Sequence, residues 1–365
     1  MNILGISDVL TNQQHNDKIL HFTMKKLVLL SVLAFLTMQL SAQDWAALFE
    51  ANKRSVVTIY TAEVVNTGAG DPRTFTSSMG LGSGVLVRND IILTAAHVVG
   101  NAEEIMVQFY DGEAIAAKTV RLNRMVDVAL LQLAKAPQDP VVATLGNSDE
   151  TKTGEEVFII GAPMGLTYSL STGIISGRHA KSDLVTEGYP VEFFQTDASI
   201  NTGNSGGPMF NSKGEVIGIV SSILSRSGGF EGIGFAATSE IAQAVLTSKG
   251  SKYFGIDSMV LPYDLARILN VPQESGLLVH HVVKNSPAGA AGVKGGFRKV
   301  VINDAEILLG GDIILAVDHI KITGHESFNP LYAHLEESGN TATHRLSVLR
   351  AGEIIELVWV ASDFY

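Results

Sequence analysis

The run Gly203-Asn204-Ser205-Gly206-Gly207-Pro208 places one hydroxyl among glycines. Without Cβ atoms on either side, the backbone can turn sharply and bring adjacent N–H groups onto one point, which a developing oxyanion requires. Gly203, Asn204 and Ser205 form the expected oxyanion group, with the N–H groups of Gly203 and Ser205 as its principal donors. A serine hydroxyl is a weak nucleophile until a base takes its proton. Among ten histidines, His97 stands out because it follows the apolar run Ile91-Ile92-Leu93 and the small residues Thr94-Ala95-Ala96. Between His97 and Ser205 the carboxylates that could orient such a base are Asp111, Asp127, Asp139, Asp149, Asp183 and Asp197. Several lie in turn-like surroundings such as Tyr110-Asp111-Gly112, whereas Asp127 opens the apolar run Val128-Ala129-Leu130-Leu131. A partly buried carboxylate there can accept from an imidazole and fix its tautomer. A hydroxyl, a base, an orienting anion and oxyanion donors together imply acyl transfer, and that chemistry calls for neither metal nor cofactor.

The elements that must hold these groups read as short strands: 56–60, 84–87, 91–94, 105–109, 128–133, 157–160, 193–196 and 216–220. Apolar runs of this length, punctuated by Gly, Asn and Asp, predict a mostly β chain of sandwich or barrel type. A helix is predicted over 238–246, with Thr238 able to cap it. After Gly250 a second unit is expected, with helical stretches at 263–269 and near 328–337 and strands at 277–283 and 313–317. The stretch from Asn66 to Gly80 reads equally as a flexible loop or as a hairpin connection.

With 365 residues, 46% of them hydrophobic and 17% charged, the chain is expected to hold two or more globular domains. Its formal charge of -11 and lack of Lys/Arg runs argue against a nucleic-acid partner. Met24-Lys25-Lys26, an apolar run from Leu27 to Leu40 and the small Ser41 and Ala42 have the order of a secretory signal peptide. A spanning helix needs roughly 20 residues, so the run of about 14 favours cleavage after Ala42 over an uncleaved membrane anchor, the alternative. Residues 1–23 fit no targeting pattern, and Met24 reads as the true start. The chain has no cysteine, so after export its stability rests on the core alone.

The motifs Leu-Thr-Ala-Ala-His ending at His97, Asp-Val-Ala-Leu-Leu beginning at Asp127, and Thr-Gly-Asn-Ser-Gly-Gly-Pro around Ser205 occur in the order of the trypsin-like serine proteases. From about Asp44 to Tyr365 the chain resembles the high-temperature-requirement (HtrA/Deg) family. That resemblance implies a trypsin-like double β-barrel over 44–248, with His97, Asp127 and Ser205 as catalytic residues. It also implies that Gly218, Ile219, Val220 and Ser221 pair with substrate as an added strand. Relatives that cut after Lys or Arg carry an acidic residue six positions before the nucleophile, where this chain has Ser199. Asp197 is expected to remain in the strand beginning at Phe193, away from the pocket floor. With Ile233, Gly234 and Phe235 implied nearby, the pocket is expected to be small and neutral, taking Val, Ala or Ile.

Residues 252–362 resemble a PDZ domain. Tyr253-Phe254-Gly255-Ile256 matches the loop that binds a peptide carboxylate, and Gly311 to Asp318 matches a characteristic strand. Phe297 to Leu309 looks like an insertion, and the unit reads either as a binder of C-terminal peptides or as a packing module. By resemblance the protein is a periplasmic endopeptidase of unfolded or damaged proteins and a homotrimer, with Trp45 and Phe49 as candidate contacts. The alternative function is a peptide-binding, chaperone-like protein with an idle or regulated protease site.

Overall fold

The computed structural model describes residues 21–28, 43–66, 75–186, 189–225, 229–247, 253–302, 305–339 and 342–360. Met1–Ala47 forms one unit and Leu48–Tyr365 another. In the first, residues 21–28 are helical, and most of both the expected signal peptide at 24–42 and the extension at 1–23 lies outside the described residues. Among the described residues, no helix is long and apolar enough to cross a membrane.

A short helix, α1 (Trp45–Asn52), precedes β1 (Val56–Asn66), β2 (Phe75–Arg88), β3 (Ile91–Thr94), β4 (Glu104–Gln108), β5 (Ala114–Asn123) and β6 (Val128–Leu133). These six strands close into a barrel in the order β1-β2-β3-β6-β5-β4. Alternation drives the closure: along β4 the side chains of Ile105 and Val107 turn inward and those of Glu104 and Met106 outward, the period-2 pattern of a half-buried strand. Ile59, Leu86, Ile92, Val107, Ile115 and Leu131 fill the interior. The β1–β2 ladder continues to Asn66↔Phe75, so Phe75 to Gly80 is paired strand, and only the connection at 67–74 lies outside the described residues.

The second barrel repeats the plan with β7 (Glu156–Gly161), β8 (Ser169–Thr186), β9 (Tyr189–Thr196), β10 (Pro208–Asn211), β11 (Val216–Ile223) and β12 (Gly234–Thr238). It closes as β10-β11-β12-β9-β8-β7 around Val157, Ile175, Phe194, Met209 and Ile217. Helix α3 (Ser239–Thr247; α2 is Ala96–Val99) follows, and Thr238, the last residue of β12, directly precedes it. Its last turn leaves main-chain carbonyls without helical partners, and Arg121 of β5 donates to one of them, Val245 O, at 2.9 Å. The helix is thereby fastened to the first barrel.

The C-terminal sheet runs β13 (Ile256–Val260), β14 (Leu277–Val282), β17 (Ile313–Val317), β19 (Thr343–Arg350), β20 (Glu353–Val360), with β18 (Ile320–Lys321) against β17. Helices α4 (Tyr263–Ile268), α5 (Pro287–Ala290) and α6 (Phe328–Ser338) accompany it. Two cores result. Val279, Leu331, Val348 and Trp359 pack with Phe254, Ile256, Phe328 and Leu335. Leu261, Leu265, Leu278 and Ile313 form the other. The insertion at Phe297 to Leu309 is a hairpin of β15 (Arg298–Ile302) and β16 (Ala305–Leu309), and its Val300, Ile302, Ile307 and Leu309 join this second core, that of α4. It is an added layer of core rather than a loose excursion.

Candidate active site

His97 and Asp127 come from the first barrel, on the short helix α2 that follows β3 and on the turn entering β6. Asp127 adopts a left-handed conformation (φ 55), which aspartate tolerates better than most residues. It holds His97 twice: Oδ2 lies 2.8 Å from the ring Nδ1, and Oδ1 accepts the His97 main-chain N–H at 2.9 Å. Ser221 of the second barrel donates to the same Oδ2 at 2.5 Å. Burial alone would raise the carboxyl, but the hydrogen bonds and charge from His97, with that of Ser221, outweigh it and hold Asp127 below the usual carboxylate range. The Asp127 carboxylate therefore stays ionised at neutral pH, accepts from Nδ1–H and leaves Nε2 as the nitrogen that can take a proton.

Ser205 lies in the loop between β9 and β10. Its Oγ donates to Ser221 O at 3.4 Å, and no hydrogen bond joins it to His97 among the described residues. Such links commonly tighten only when substrate binds. The loop itself is tightly specified. Gly203 has φ 105, and a Cβ there would sit 2.1 Å from Ala162 O, so both conformation and space demand glycine. The Thr202 carbonyl accepts the Met164 N–H at 2.8 Å. Across the same trans peptide plane, the Gly203 N–H therefore points away from Met164. Among the described residues neither Gly203 N–H nor Ser205 N–H has an acceptor. Asn204, grouped with them from the sequence, differs: its N–H is taken by Asn201 O at 2.9 Å, so it supplies no free donor.

Four contacts that sequence reasoning missed assemble this loop. Ser83, fully buried on β2, donates through Oγ to Gly203 O at 2.6 Å and accepts the Ala162 N–H at 3.1 Å. Its own N–H donates to Ser205 O at 2.8 Å. Thr94 Oγ1 in turn donates to Ser83 O at 2.7 Å. The signal that could have found Ser83 is Gly82-Ser83-Gly84, a polar residue between glycines in an apolar strand.

The expected substrate strand needs correction. Gly218 and Ile219 pair with β10 on one side and β12 on the other, and Val220 exchanges hydrogen bonds with Gly206 and Gly207. A residue with both edges occupied cannot accept a further strand. A bulge at Ser221 shifts the register against β12, and among the described residues β11 has no partner on the β10 side from Ser221 onward. Asp197 also differs from expectation, for β9 ends at Thr196. Its carboxylate accepts the Ile174 N–H at 2.7 Å. Ser199 is exposed, Ile233 and Phe235 are half-buried, and Gly234 lies where a Cβ would meet Ile200 at 2.5 Å.

In the C-terminal sheet, Phe254 O accepts from Ala288 and Gly255 O from Val283, each at 2.9 Å. The N–H groups of Gly255 and Ile256, opposite those carbonyls, consequently face away from the 283–288 segment. Gly255 has φ 85, Phe254 packs on Trp359, and the Tyr253 hydroxyl donates to Gly100 O at 3.4 Å.

Residues 82–219 match the family model of the trypsin-like peptidase domain. The chain is 40% identical over 239 residues, 64% of its length, to a protein of Hahella chejuensis named "Probable periplasmic serine endoprotease DegP-like", and 39% identical over 250 residues to one of the same name from Ectopseudomonas mendocina. It spans about half the length of these curated relatives, 50% and 51%. Among solved structures it is similar to "HtrA-type protease AlgWS227A with decapeptide", with TM-score 0.51 and 26% identity, covering 87% of this chain and 96% of that one.

Proposed function

Because the chain belongs to the HtrA/Deg family of trypsin-like serine proteases, we propose that it is a serine endopeptidase in which Ser205 attacks, His97 takes its proton and Asp127 orients His97. The observation that carries this reading is the double grip of Asp127 on His97 at 2.8 and 2.9 Å, which leaves Nε2 as the base. Ser205 Oγ adds to the scissile carbonyl carbon while its proton passes to Nε2. The N–H groups of Gly203 and Ser205 meet the oxyanion, and the imidazolium returns its proton to the leaving amine as the acyl-enzyme forms. Water then attacks the ester by the same steps and frees Ser205.

Substrate would lie as an extended strand along β11 from Ser221 to Ile223, the stretch without a β10 partner. The engagement of Asp197 by Ile174 N–H and the neutral Ser199 favour Val, Ala or Ile on the acyl side of the cleaved bond. Residues 44–248 serve as the protease domain and residues 252–362 as a PDZ domain, where the outward N–H groups of Gly255 and Ile256 would take a peptide's terminal carboxylate. The periplasmic names of the relatives and the leader at 24–42 support export, where unfolded proteins are the natural substrates, and the resemblance supports a homotrimer. The unlinked Ser205 hydroxyl favours a second reading, a chaperone-like binder whose protease is idle. Casein hydrolysis decides between them: wild type should degrade casein and Ser205→Ala should not, and equal activity in both would overturn the endopeptidase assignment.

A further inference from the structure

Three side chains from three elements of the C-terminal sheet converge away from the protease site. Asp318 is in the turn between β17 and β18, His334 on α6 and His344 on β19. Asp318 Oδ2 lies 2.7 Å from His334 Nε2 and 2.7 Å from His344 Nδ1. All three atoms fall within 4.8 Å of one another. The carboxylate is held from behind, since Oδ1 accepts the Arg345 N–H at 2.8 Å and the Asp318 N–H donates to Arg345 O at 2.7 Å. Oδ2 is thus left to the two rings. His344 is only 2% exposed, lies against Trp359, and its Nε2 has no hydrogen-bond partner among the described residues. Without a cation, both ring nitrogens must share one carboxylate oxygen.

We propose that Asp318, His334 and His344 form a binding site for a divalent transition metal of the zinc class. Two imidazoles and one carboxylate are a donor set that zinc accepts, whereas calcium and magnesium take oxygen ligands. Tetrahedral zinc sets ligand atoms roughly 3.3 Å apart. The rings must therefore draw back slightly from Oδ2, which the half-exposed His334 can do by turning on α6. Water or His319 would complete the shell. His319 adjoins Asp318 in sequence and its ring lies 4.9 Å from that of His334. The ion would bolt α6 to the sheet through His334 and His344. This site stands apart from the protease chemistry, which calls for no metal.

The test uses the full chain after treatment with a chelator. Zn²⁺ is titrated against a chromophoric competitor, and Co²⁺ is added separately to read its visible d–d bands. One equivalent of zinc should bind, and cobalt should give the intense bands of a four-coordinate ion. Even an outer partner of a metal ligand is worth about 10- to 100-fold in affinity, so His344→Ala and His334→Gln should each weaken zinc at least about 10-fold. Loss of buried His344 could unfold the sheet; His334→Gln, on the exposed side and still able to donate to Asp318, separates metal loss from misfolding. No binding by wild type, or equal binding by wild type and a folded His334→Gln, overturns the proposal.

Discussion

Ser83→Ala tests whether the Ser205 loop is held by the neighbouring barrel. Ser83 is fully buried, and its Oγ serves Gly203 O at 2.6 Å and Ala162 N–H at 3.1 Å. Deleting it strands a buried carbonyl and a buried N–H. Each such group costs about 1–3 kcal/mol, so unfolding free energy should fall by roughly 2–6 kcal/mol. The catalytic effect follows from the same bond. Release of the Gly203 carbonyl frees the Gly203–Asn204 peptide plane, which lies between the two donor N–H groups and helps set their aim, and complete loss of one such donor costs about 10²- to 10³-fold. Partial misplacement should lower kcat by roughly 10- to 100-fold, with KM nearly unchanged because Ser83 is buried away from substrate. Urea unfolding should show a lower midpoint at constant slope, and steady-state hydrolysis of a peptide should show the kcat loss. Ser83→Thr, which keeps the hydroxyl, should recover most of both. A variant within about 0.5 kcal/mol of wild-type stability and with unchanged kcat would refute the reasoning.

Three further outcomes are expected. Asp127→Asn should lower kcat about 10⁴-fold, because an amide in place of the carboxylate stabilises the wrong tautomer of His97. Asp127 titrates lower in the folded protein than in the unfolded chain, so its contribution to stability is complete above the unfolded value of about 3.9 and is lost as pH falls through the lower folded value. Urea midpoints should therefore show a wild-type advantage that is flat from about pH 5 to 8 and shrinks below about pH 4. Arg350→Met should cost about 3–5 kcal/mol, since Asp312 is fully buried and loses two of its hydrogen bonds, at 2.7 and 2.8 Å. Adding Asp312→Leu should restore much of the loss in the same unfolding assay, and no recovery would mean the buried charge is not the cause.

The strands richest in β-branched and aliphatic residues were legible. Ile91–Thr94, Val128–Leu133 and Ile313–Val317 occupy the stretches that their apolar runs predict. The strands that escaped notice are those whose side chains are mostly polar or partly exposed, such as Ala114–Asn123 and Ser169–Thr186. Their pairing comes from register with a neighbour rather than from their own pattern, which is the sense in which β-propensity depends on context. The reading of Gly218 to Val220 as a substrate-binding edge failed for a related reason. Period-2 hydrophobicity reports that a strand is buried but not which of its two edges is already occupied, and here the β10 edge is consumed up to Val220. His334 and His344 escaped because their meeting on Asp318 depends on a helix crossing a sheet, and no fixed spacing encodes that.

His97 and Asp127 were legible for the opposite reason, since each sits beside the strand end that aims it. What the sequence left hidden is how the two halves of the site meet. His97 and Asp127 belong to one barrel, Ser205 and Ser221 to the other, and the bridges between them are hydrogen bonds: Ser221 to Asp127 at 2.5 Å, Ser83 to Gly203 at 2.6 Å, and Ser83 N–H to Ser205 O at 2.8 Å. Each barrel has its own apolar core and can account for its own closure by burial. Non-directional burial does not fix where one barrel lies on the other to the tenths of an ångström that proton transfer demands. Directional bonds do. Ser83 and Ser221 are thus positioning residues, each buried and each spanning the junction. Substitutions at either should disturb turnover more than substrate affinity, while apolar truncations inside a single barrel should reduce stability first.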